Sequence, residues 1–77
     1  MPVMTDSTLK KLRREIGYTQ EDFAVMSGLR IKTYRNAEQR GRTSYQTAQS
    51  ILRSLNTSRV ARRMPKLSLE DLGLVIS

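Results

Sequence analysis

The chain has no cysteine and no histidine. Without cysteine there is no disulfide and no thiolate chemistry. Without histidine the commonest general base and the commonest metal ligand are gone. Carboxylates are few: Asp6, Glu15, Glu21, Asp22, Glu38, Glu70 and Asp71, scattered through mostly helical contexts. No nucleophile-and-base pairing and no glycine-rich phosphate loop accompanies them. The expectation is a protein that is not an enzyme and has no metal site, no cofactor and no evident small-molecule ligand. Aromatics are limited to Tyr18, Phe23, Tyr34 and Tyr45. No apolar run approaches the length of a bilayer span, and the opening Met-Pro-Val-Met is too short and uncharged for a signal peptide. A soluble cytoplasmic protein without membrane contact is expected. With 77 residues there is room for one small domain.

Positive charge is abundant and unevenly placed. Residues 1–29 balance four basic side chains against four acids, whereas residues 30–66 carry ten basic side chains against Glu38 alone, a local net charge of +9. Residues 67–77 carry only Glu70 and Asp71. A basic block of this kind attracts a polyanion. An arginine-rich solvated surface fits the same composition equally well.

The apolar spacing is helical throughout. After a flexible tail over 1–6, Ser7 or Thr8 caps a helix whose stripe is Leu9, Leu12 and Ile16, ended by Gly17. Thr19 caps a second helix, from Gln20 to about Ser27, with Phe23 and Ala24 inward. Gly28 supplies a tight turn and Leu29 an apolar plug. A third helix spans about Arg30 to Gln39, with Gly41 beyond it. On a wheel of 100° per residue, Ile31, Lys32, Arg35, Asn36 and Gln39 fall in one sector, and Thr33, Tyr34 and Ala37 opposite. A fourth helix follows Thr43–Ser44 with Ala48, Ile51, Leu52 and Leu55 at i, i+3, i+4 and i+7. Asn56 is read as its stop. A short fifth helix is expected over Ser58 to Arg63, capped by Ser58 and burying Val60, before Pro65. The fold class is all-α, a compact bundle of about five short helices. The domain is placed at 7–64, with a C-terminal extension over 65–77.

Leu9 to Gly41 resembles the Cro/repressor-like (XRE-type) helix-turn-helix family. The resemblance is carried by Leu12, Arg13, Gly17, Thr19, Gln20, Glu21, Phe23, Ala24, Gly28, Leu29, Thr33, Tyr34, Glu38 and Gly41 at the family's spacing. It extends through Leu55 and does not cover residues past Pro65. Two departures stand out. The position after Leu29, often a serine-like cap, is Arg30. The closing E-x-G is Glu38-Gln39-Arg40-Gly41, so the third helix can run one residue further.

The resemblance implies a lambda-repressor-like fold and sequence-specific binding of double-stranded DNA by a small transcriptional regulator, repressor-like and of prokaryotic or phage type. The third helix would enter the major groove. Ile31, Lys32, Arg35 and Asn36 are the candidates for base contacts: Asn pairs with adenine, Arg or Lys with guanine, and an aliphatic group with a thymine methyl. Thr19, Gln20, Arg30, Gln39, Arg40, Arg42, Thr43 and Ser44 are the candidates for phosphate contacts. The family also implies a structural ion pair between Arg13 and Glu38. Arg59, Arg62, Arg63 and Lys66 either add a second backbone contact area or are solvated, and Arg53 is read as solvated. The alternatives are an antitoxin or protein-interaction module with the same fold, or the N-terminal DNA-binding domain of a longer protein. The polar, basic face of the third helix argues against a pure interaction module. The tail, with Leu72, Leu74, Val75 and Ile76 crowded together, has three readings: a homodimer partner covers it, it folds back over the domain's own core, or it is a linker into a further domain.

Overall fold

The computed structural model describes residues 7–77, so the tail expected over 1–6 lies outside the described residues. In chain order the elements are α1 (Thr8–Glu15), α2 (Gln20–Ser27), α3 (Ile31–Arg40), β1 (Arg42–Thr43), α4 (Tyr45–Ala61), a 3-10 turn (Leu69–Leu72) and β2 (Val75–Ile76).

Three of the helices begin on a hydroxyl. Ser7, Thr19 and Ser44 are in extended backbone, and their side chains accept from the N–H groups of Lys10, Asp22 and Thr47. Each such cap satisfies a donor that the first turn leaves open, worth about 1 kcal/mol. Arg30, which precedes α3, makes no side-chain capping bond. Gly28 ends α2 at φ 70°. A Cβ there would meet nothing within 4 Å, so the turn needs glycine for its left-handed backbone and not for space. The same holds at Gly41, φ 66°, between α3 and β1.

The helix count differs from the expected five. Four α-helices form among the described residues, and the segments anticipated as helices four and five are one continuous 17-residue α4. Asn56 does not stop it, because its side-chain amide is engaged elsewhere: Oδ1 accepts from the Leu67 N–H at 2.7 Å and Nδ2 donates to the Leu67 carbonyl at 3.0 Å. Ser58 is not a cap. It is buried inside α4, with its hydroxyl 3.7 Å from the Met26 sulfur. Val60, expected inside, is 51% exposed. A continuous helix carries it round to the outer face, while Ser58 and Arg59 turn inward. Two residues past the end of the helix, Arg63 holds φ 60°, a left-handed position without glycine.

Leu9, Ile16, Phe23, Ala24, Tyr34, Ala37, Ile51, Leu55 and Leu72 form the core. Phe23 and Tyr34 meet at 5.1 Å between ring centroids with a 51° tilt, within the usual range of favourable aromatic contacts. Leu72 comes from the tail, which folds back so that Leu67, Leu69 and Leu74 also pack against this core. Burial of one such side chain contributes about 1.5–3 kcal/mol, so the four leucines together, and not one alone, oppose the entropy lost in ordering the segment. Arg59 secures the return path by donating to the Pro65 carbonyl at 2.7 Å and to Glu15 at 3.1 Å. The fold-back ends in a small parallel sheet in which Arg42 pairs with Val75 and Thr43 with Ile76, an element without an expectation in the sequence.

Candidate nucleic-acid interface

α2, the Gly28 turn and α3 form the unit that presents the site. The close approach of the two helices is made possible by Ala24, which is buried and has no side chain beyond Cβ. Tyr34, Ala37 and Glu38 form the inner face of α3. Lys32, Arg35, Asn36, Gln39 and Arg40 are exposed on the outside. Ile31, named with the base-contact candidates, is half-buried and packs against the core.

Under this surface lies a charged brace. The Arg13 guanidinium donates from Nε to Glu38 Oε2 at 2.7 Å and from Nη1 to the Tyr18 carbonyl at 2.7 Å. Gln20 Nε2 donates to the other oxygen of Glu38 at 3.0 Å. Both partners of the ion pair are nearly closed to solvent, with side-chain exposures of 9% and 4%. Burial alone would raise the Glu38 carboxyl, but the hydrogen bonds it accepts outweigh burial and hold it below the usual carboxylate range. The buried Tyr34 phenol lies against this carboxylate. Burial first, and the adjoining Glu38 carboxylate second, push its pKa far up, so the phenol stays neutral.

Gln20 has a second role. Its Oε1 accepts from Arg35 Nε at 3.3 Å. The amide thus joins the buried carboxylate to an exposed arginine on the outer face of α3. Sequence spacing gave no sign of this link: Gln20 and Arg35 are 15 residues apart on different helices. Gln20 is half-buried, with both ends of its amide engaged within the protein.

The candidates for phosphate contact occupy the rim. Thr19 caps α2 and Ser44 caps α4, each hydroxyl already bonded to its own helix. Arg30 and Arg42 are exposed at either end of α3, and Thr43 is half-buried in β1. Glu38 is the only acid between residues 30 and 66, and it is buried and neutralised by Arg13. The exposed surface contributed by this block therefore carries cations and no carboxylate. Among its cations Arg59 is turned inward.

A helix-turn-helix family profile matches residues 9–62, more than half of the chain. The chain belongs to this helix-turn-helix family, a family of DNA-binding regulators and not of enzymes. No curated protein and no solved structure matches it. Among the described residues no helix is long and apolar enough to cross a membrane.

Proposed function

We propose that the protein is a sequence-specific, repressor-like transcriptional regulator of prokaryotic or phage type, acting in the cytoplasm, with α3 in the major groove of double-stranded DNA. The observation that carries this reading is the division of α3. Its one acid is buried and paired while Lys32, Arg35 and Asn36 face outward together. Asn36 offers a donor and an acceptor suited to an adenine edge. Lys32 and Arg35 are suited to guanine. Arg30, Gln39, Arg40 and Arg42, with the helix starts at Thr19 and Ser44, surround this sector and fit phosphate contacts that set its register. Ile31 reaches a thymine methyl only with the part of its side chain that the core leaves open. Self-association through residues 67–77 belongs to the same reading, because two copies read two half-sites about 34–36 Å apart.

The test is titration of a duplex at increasing salt. Each phosphate neutralised lowers the slope of log K against log salt by about 0.9. A steep fall of affinity with salt supports the reading. Absence of binding at low salt, or binding indifferent to salt, contradicts it.

A further inference from the structure

The connection between α3 and α4 is held by a segment outside the helix-turn-helix. The family match stops at residue 62, yet residues 67–77 return as a strap to the stretch that carries Arg42, Thr43 and Ser44. The Val75 N–H donates to the Gly41 carbonyl at 2.8 Å and the Ser77 N–H to the Thr43 carbonyl at 3.1 Å. The two bonds sit on either side of Arg42. Among the described residues, none of 41–44 belongs to the core, so side-chain packing does not fix this connection. The strap itself is anchored at three places. Asn56 holds the Leu67 backbone by two hydrogen bonds, at 2.7 and 3.0 Å. Leu72 is buried in the core. Gly73 lies so close to α1 that an added Cβ would stand 3.1 Å from the Thr8 side chain.

We propose that Val75 and Ser77 are positioning residues for DNA binding. Their N–H groups hold the backbone on both sides of Arg42, so that its guanidinium and the Ser44 start of α4 meet phosphates at a fixed place. Fixing a backbone residue costs conformational entropy. The strap takes that cost into folding, and the phosphate contact does not bear it. The effect falls on contacts that position the duplex and not on base reading. The outer face of α3 is held separately, through the Arg13–Glu38 pair and Gln20. The docking of the strap stands on the hydrogen bonds above. Only its consequence for DNA rests on the function proposed in the preceding section.

The experiment compares Ser77→Pro and Val75→Pro with Ser77→Ala and Val75→Ala in the full chain. Proline removes the N–H and alanine keeps it. Ile76 is in a strand, the extended backbone that suits a residue before proline, so Ser77→Pro should fold and serves if Val75→Pro does not. In isotope-labelled protein without DNA, the amides of Arg42, Thr43 and Ser44 should shift and lose order in the proline variants and match the parent in the alanine variants. On duplex DNA the proline variants should bind all sequences more weakly. Their slope of log K against log salt should be shallower by about 0.9, with the preferred sequence unchanged. Arg42→Ala added to Ser77→Pro should take away little more, because both changes remove the same contact. A folded proline variant that keeps the parent's order at residues 42–44 overturns the proposal. So does one that loses this order and still binds with the parent's affinity and salt slope, and so do alanine variants weakened as much as the prolines. Failure of the parent itself to bind DNA at low salt would overturn the DNA reading and the positioning role with it, whereas the order of residues 42–44 decides the strap alone.

Discussion

Arg13 and Glu38, 25 residues apart in the chain, meet at 2.7 Å in a nearly solvent-free ion pair that ties α1 to α3. Gln20 and Arg35 extend it to the surface. The orientation of the outer face of α3 therefore depends on a charge held inside the protein.

Glu38→Ala leaves the Arg13 charge buried without its partner, at a cost of about 3–5 kcal/mol. A domain of this size has a total stability of roughly 4–12 kcal/mol at 0.05–0.15 kcal/mol per residue. The variant should consequently melt far below the parent or be partly unfolded at room temperature. The double change Arg13→Met with Glu38→Leu removes both charges and should recover most of the loss. An unchanged thermal melt for Glu38→Ala would contradict the buried brace.

Acid should weaken the same brace. The folded Glu38 carboxyl sits below its ordinary value, so its contribution is fully present above the unfolded pKa of about 4.3 and is lost as pH falls through the lower folded value. Melting temperatures measured from neutral pH downward should fall more steeply for the parent than for Glu38→Gln. Parallel pH profiles would contradict this.

Arg63, two residues past α4, holds a left-handed backbone without being glycine. Relief of that strain by Arg63→Gly is worth about 1–2 kcal/mol, against roughly 0.4–1 kcal/mol of added unfolded-state entropy. The balance favours stabilisation, read as a melting temperature higher by a few degrees. A lower melting temperature would show that the arginine side chain contributes contacts that exceed the strain.

The helix starts were legible because capping is local: Thr19 and Ser44 each bond a residue three positions on. The Arg13–Glu38 pair was legible from the family resemblance. What remained hidden depends on distant partners. Asn56 reads as a helix stop by local preference, yet residue 67 takes up its amide and α4 runs on to Ala61. β1 and β2 are two residues each, too short for any alternating pattern. The Gln20 bridge needs the angle between α2 and α3, which no window along the chain contains.

Base readers and phosphate contacts should separate in binding experiments. Asn36→Ala should cost about 1–3 kcal/mol on a preferred site and relax preference at one base pair. Arg42→Ala should weaken all sequences alike and lower the salt slope by about one. Both side chains are exposed and outside the core, so neither change should alter the thermal melt. Unchanged affinity and preference in Asn36→Ala would mean that another sector of α3 faces the bases.

The most direct test of DNA recognition by α3 is selection of bound duplexes from a random pool with the full chain, repeated with Asn36→Ala. One enriched motif is expected for the parent, and loss of preference at a single position of that motif for the variant. A pool that emerges from the parent chain without enrichment, at a salt concentration where binding occurs, would contradict sequence-specific recognition.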